Sequence, residues 1–233
     1  CPLLISTTHA QDQLRAGAAA VDITSQKYPV WVSGGFLARR GTRANGPLHS
    51  RALVMDDGKV RLAIVIVDSL MFRRELLDPA KEEAAGLTGI PSSNILIAAT
   101  HTHSAPSVMG ALGTPVDEAY SKFLPGKIVE SIVQANKNLQ PAEAGWGVVK
   151  DYKHNFCRRW IFRPDRIGGD PFVERNVRAM MHPGNLSRNH TGPSGPADVD
   201  FSVLAVRRMN GKLLSVLGNY AFHYRGAAPV SAD

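Results

Sequence analysis

Residues 94–107 read "NILIAATHTHSAPS", a short apolar run that leaves an asparagine and closes on two histidines one residue apart, His101 and His103. The run has the character of a buried strand. Its C-terminal end is where open α/β sheets collect ligands. A neutral imidazole is the commonest transition-metal ligand, and side chains two apart on extended backbone point to the same side, so the H-x-H pair is a metal-site candidate. The rival reading is that one or both rings only hydrogen-bond the loop. Two ligands do not close a tetrahedral site, so a metal reading requires donors from elsewhere in the chain.

Working outward, "RALVMDDGKVRLAIVIVD" (51–68) holds two β-rich runs around Asp57-Gly58, a pairing that favours a tight hairpin turn. The second run is almost wholly apolar, as expected of a strand buried on both faces, and ends at Asp68. "LRAGAAAVDIT" (14–24) is strand-like, whereas "VWVSGGFLARRGTRANGPLHS" (30–50), rich in Gly and Arg, reads as irregular surface loop. "MFRRELLDPAKEEAAGLTG" (71–89) predicts a helix interrupted at Pro79 and stopped by Gly86 and Gly89. "VDEAYSKFLPGKIVESIVQANKNLQ" (116–140) predicts a second helix with apolar positions at Ile128, Ile132 and Val133.

"FSVLAVRRMNGKLLSVLGNYAFH" (201–223) then repeats the hairpin theme, with Asn210-Gly211 at the turn and His223 after the second run. If that run neighbours the first histidine strand, His223 projects from the same edge as His101. The Gly- and Pro-rich stretch between the hairpins (163–200) reads as a long functional loop. Alternation of strands and helices predicts an α/β fold: mixed β-sheet layers with flanking helices, and a metal site at the C-terminal ends of strands.

The composition, 44% hydrophobic and 20% charged over 233 residues, is that of one large globular domain rather than a disordered or fibrous chain. A formal charge of +7 is dispersed, with no block of like charges, and reads as a solvated, mildly basic surface; a preference for anionic lipid or nucleic acid is the rival reading, and nucleic acid is not the expected partner. Two cysteines, Cys1 and Cys157, make neither a disulfide framework nor a C-x-x-C pair. "CPLLISTTHAQDQ" resembles the tail of a secretory signal, residues 1–10, with Gln11 opening the mature chain; a lipid-modified Cys1 is the rival. Either predicts a secreted or periplasmic location. No run of 18 apolar residues follows, so no transmembrane segment is expected.

Familiar catalytic patterns fail on inspection. The H-x-H-x-D-H of metallo-β-lactamases would need Asp and His where Ala105 and Pro106 stand, and there is no H-E-x-x-H, G-x-S-x-G, Walker A or G-x-G-x-x-G. A barrel-type amidohydrolase also opens with H-x-H after a strand, but near its start rather than a hundred residues in.

Five ordered stretches together resemble the neutral/alkaline non-lysosomal ceramidases, specifically the N-terminal part of their zinc hydrolase domain. "RAGAAAVDIT" is similar to the opening strand, "GPLHSRALVMDDG" to the first hairpin, "THTHSAPS" to the T-H-T-H-S-G-P motif, "HNFCRR" to an N-x-x-R segment, and "GNYAFHYRGAAPVSAD" to the second histidine motif. The resemblance spans nearly all of residues 11–233 and implies a single catalytic domain whose C-terminal part is absent. It implies Zn2+ bound by His101 and His223, with His103 beside the metal as a hydrogen-bond donor and Arg158 holding the substrate carbonyl. The implied reaction is cleavage of the N-acyl amide of ceramide or a related lipid to a fatty acid and a free sphingoid base, at a membrane surface.

Three departures temper the match. Ala105 replaces a glycine, the loop after His223 is short and basic, and the family's glutamate and tyrosine ligands lie further along than this chain runs. Asp68 and Asp233 are in-chain candidates for completing a site. His49 reads as structural, and His154, His182 and His190 as solvated loop residues. The alternatives are a non-catalytic metal- or anion-binding protein of the same fold, and an amidase for a small water-soluble amide.

Overall fold

A computed structural model describes residues 13–169, 177–181, 183, 187–223 and 230. The predicted signal remnant, His182, Asp233 and the loop after His223 lie outside the described residues. Contacts divide the chain into two compact units, the first comprising Cys1–Gly145, Ala205–Val216 and Tyr224–Asp233, the second Trp146–Leu204 and Leu217–His223.

The first unit is built on β1 (Arg15–Asp22), β2 (Val30–Val32), β3 (Arg39–Gly41), β4 (His49–Asp56), β5 (Arg61–Val67), α1 (Arg74–Thr88), β6 (Ile95–Ala99) and α2 (Glu118–Lys137). It also takes in parts of β7 (Gln140–Lys150), β11 (Asp200–Arg208) and β12 (Leu213–Tyr220). There the strands order as β12-β11-β7-β1-β4-β5-β6. β1, β4 and β5 pair antiparallel, while β6 joins β5 in parallel, so the sheet is mixed as expected.

The hairpin predicted around Asp57-Gly58 is present, with Gly58 at φ 85°. Its register puts Ser50 opposite Val67, Ala52 opposite Val65 and Val54 opposite Ala63. These buried residues face α2, where Ser50 and Ser131 share a buried hydroxyl–hydroxyl hydrogen bond of 2.9 Å. The core lies between this face and the apolar sides of α1 and α2, led by Ala80, Ala84, Leu124, Ile128 and Ile132. Close approach there is enforced at Gly17, where a Cβ would stand 2.1 Å from the carbonyl oxygen of Ala135.

Several expectations are corrected. β5 is fully buried on one face only, since Leu62, Ile64 and Ile66 on the other stay part-exposed. β6 is an edge strand rather than a buried one: Ile95 is covered, but Leu96 is 58% exposed. An apolar run cannot by itself distinguish the two cases, because the covering layer is a tertiary matter.

α1 runs unbroken through Pro79 and Gly86 and stops at Gly89, which is left-handed at φ 73° and returns its N–H to Ala85. Pro79 forfeits one intrahelical hydrogen bond, and packing of Ala80 and Ala84 into the core outweighs it. The stretch read as irregular loop contains the β2–β3 hairpin, which pairs Val30 with Gly41 and Val32 with Arg39.

The second unit, among its described residues, holds a three-stranded sheet ordered β10-β8-β9, from β8 (Arg159–Phe162), β9 (Ala179–Met181) and β10 (His190–Pro193). The stretch read as a long loop is therefore partly sheet. Its strands are three or four residues long, too short for a periodicity signal. No helix among the described residues is long and apolar enough to cross a membrane.

Candidate functional site

The histidine loop starts where β6 ends. Asn94 answers for its place before the strand: its side-chain amide donates to the Arg61 carbonyl at 3.1 Å, tying the entry of β6 to β5. At the far end His101 adopts φ 65°, left-handed backbone that costs a non-glycine residue free energy and clusters at functional sites. Extended backbone therefore does not align the two histidines; this kink does. Ala105 is not among the positive-φ residues, so the replacement of glycine there carries no backbone strain.

Each ring is held from behind. His101 Nδ1 lies 2.9 Å from the carbonyl oxygen of Leu70, and His103 Nδ1 lies 2.8 Å from that of Gly34. A carbonyl oxygen only accepts, so both Nδ1 atoms must carry the proton, and each neutral ring then presents an unprotonated Nε2. Those two Nε2 atoms are 3.4 Å apart, with the rings edge to face at 88°. Two lone pairs at that distance repel unless a proton or a cation sits against them. The donor set, imidazole nitrogens with their tautomer fixed by backbone carbonyls, fits a zinc ion.

The loop after His103 is fixed by the β2–β3 hairpin and by α2. The guanidinium of Arg39 donates to the His103 carbonyl. Ser107 N–H donates to the Trp31 carbonyl at 2.7 Å, and Val32 bridges Pro106. Asp117 caps α2 through Tyr120 N–H at 3.1 Å and also accepts from Trp31 N–H at 3.1 Å. Gly34 leaves no room for a side chain: at φ 108°, its Cβ would lie 2.7 Å from His103 Cβ. Sequence reading missed Gly34, Arg39, Leu70 and Asp117. The only hint was the Gly34-Gly35 pair beside a β-like run, and nothing local says which loop it packs on.

Other sequence candidates resolve differently. Asp68 is buried and accepts from His49 N–H and Arg51 Nη1, both at 2.8 Å, which makes it a clamp across β4 and β5. His49 is structural as expected, its ring 3.2 Å from Arg51 Nη2. His190 is not solvated: Ser187 Oγ is 2.9 Å from its Nδ1, and its ring packs on Phe162 at 4.3 Å.

In the second unit, Arg158 is exposed immediately before β8, and His223 is exposed three residues after β12. There too His154 Nδ1 sits 2.9 Å from Asp151, and that hydrogen bond leads the causes that draw the half-buried Asp151 carboxyl down to about 2.

Fold and site define a mixed α/β protein with a tautomer-locked histidine pair at the C-terminal end of a parallel strand. No family profile matches the chain. Neutral ceramidase B of Dictyostelium discoideum is 25% identical over 219 residues, which cover 90% of this chain and 27% of that protein. A ceramidase solved in complex with C2 shares the fold at a TM-score of 0.61 and 20% identity, over 88% of this chain and 30% of that one. The neutral ceramidase of Pseudomonas aeruginosa does so at 0.57 and 20%, over 88% and 31%. The chain is thus neutral-ceramidase-like in sequence and fold, and it spans between about a quarter and a third of the length of these proteins.

Proposed function

We propose that the protein is a zinc-dependent amidohydrolase, exported from the cell, that cleaves the N-acyl amide bond of ceramide or a related N-acyl lipid. The observation that carries this reading is the approach of the His101 and His103 Nε2 atoms to 3.4 Å, with each ring held at Nδ1 by a backbone carbonyl. The likeness to ceramidases supports the substrate class.

His101 is proposed as a metal ligand, with His223 as the second from the corresponding sequence motif. Zinc, when bound, would supply water activation near neutral pH and polarisation of the substrate carbonyl. His103, fixed by Gly34 and Arg39, would accept a proton at Nε2 and then, as imidazolium, donate it to developing charge or to the leaving amine. Arg158 would hold the carbonyl oxygen with a planar, permanently charged fork. The secretory-like N-terminus supports export.

Metal content by plasma mass spectrometry tests the reading, together with fatty-acid release from a short-chain ceramide and from a water-soluble N-acyl amide. Near one zinc per complete catalytic domain, with release from the ceramide, is expected. A folded complete domain that takes up no zinc would overturn it, and turnover of the water-soluble amide alone would move the substrate to the soluble class.

A further inference from the structure

We infer that the first unit carries a membrane-docking prong for an anionic phospholipid surface, set beside the histidine pair. The inference assigns a place on the chain to the membrane surface that the sequence resemblance implies, and it rests on the amidohydrolase reading for its purpose.

The prong is built from two loops. Between β2 and β3 the chain reads "SGGFLARR", and Phe36 and Leu37 at its tip are each 83% exposed. Next to it Ala111 and Thr114 exchange both backbone hydrogen bonds, at 3.2 and 3.0 Å, around Leu112 at φ 50° and Gly113 at φ 77°. That tight turn lifts Leu112 to its apex, 53% exposed. The two tips touch, since a Cβ on Gly113 would meet the Phe36 carbonyl oxygen at 3.4 Å. Three large apolar side chains thus stand out together on turns, where nothing in local propensity favours them.

The base of the prong is cationic. Arg40 and Arg43 are exposed, and the Arg40 guanidinium lies 4.3 Å over the Trp31 ring, which holds it in place. An apolar tip above a basic collar matches the two terms of interfacial binding, apolar insertion and attraction to anionic headgroups. A protein partner would more naturally be met by a broad patch or a groove than by a narrow projection. The prong is also continuous with the histidine site, because Gly34, two residues before Phe36, carries the carbonyl that holds His103.

The test is co-sedimentation with vesicles of mixed phosphatidylglycerol and phosphatidylcholine, against phosphatidylcholine alone. Wild type is expected to bind the anionic vesicles about tenfold or more tightly than the neutral ones. Phe36→Ser with Leu37→Ser should weaken binding to both kinds by about tenfold or more. Arg40→Gln with Arg43→Gln should weaken binding to the anionic vesicles alone. Circular dichroism melts and zinc content of the same variants should match wild type. Wild type that ignores both vesicle types, or variants that bind as wild type does, would overturn the prong, as would tip-dependent self-association without lipid. Cleavage of a water-soluble N-acyl amide separates the two ideas, because it tests the amidohydrolase reading and does not need the prong.

Discussion

Gly34 and His103 stand so close that the glycine has no room for a side chain, while its carbonyl oxygen holds the imidazole at 2.8 Å. The contact fixes both the position and the tautomer of His103. Gly34→Ala would add strain at φ 108° and drive a methyl group into the ring. The expected result is a protein that melts within a few degrees of wild type and keeps its zinc but hydrolyses the amide about tenfold or more slowly, because the misplaced ring no longer reaches the reacting atoms. Wild-type kcat/KM in this variant would show that the ring does not need this support.

His101 and His103 should separate on substitution. His101→Ala is expected to remove zinc and activity together. His103→Ala should keep the metal and slow hydrolysis by on the order of a hundredfold, the usual loss for a general acid or hydrogen-bond donor. Zinc retained at full stoichiometry in the His101 variant would reject it as a ligand.

Arg158 tests whether shape matters as well as charge. Lysine keeps the charge but lacks the planar fork, so Arg158→Lys should depress kcat/KM by about tenfold or more. Wild-type kinetics in this variant would dismiss the role.

Gly17 reports on the packing of β1 against α2. A methyl group there meets the backbone at Ala135 and Asn138, which cannot give way as a side-chain end can. Gly17→Ala should cost about 2–3 kcal/mol and lower Tm by roughly 5–10 °C. An unaltered melt would mean that the helix shifts freely.

Acid should weaken the β4–β5 turn. The Gly58 N–H and, less, the Arg61 guanidinium hold the Asp56 carboxyl below the ordinary range against the opposing effect of burial. A folded-state pKa below the unfolded value gives stabilisation that is complete above the unfolded value, about 3.9, and lost as pH falls through the folded one. Urea midpoints measured in steps below about pH 5 should therefore fall more steeply for wild type than for Asp56→Asn. Parallel curves would contradict the linkage.

The sequence by itself determined β1, β4–β6, β11 and β12, the two helices and both Asx-Gly turns, because these rest on local matters: apolar runs, helix formers and residues that tolerate positive φ. It also singled out His101, His103, His223 and Arg158 through spacing and resemblance. Only the tertiary structure decided that β6 is an edge, that Pro79 does not break α1, and that Asp68 is committed to Arg51 and His49. It also decided what holds the H-x-H pair in place. The carbonyls of Leu70 and Gly34 that fix the two tautomers lie 31 and 69 residues away from the rings they hold. Such contacts are made when the sheet and helices pack, and no periodicity or spacing along the chain encodes which backbone oxygen will meet which nitrogen.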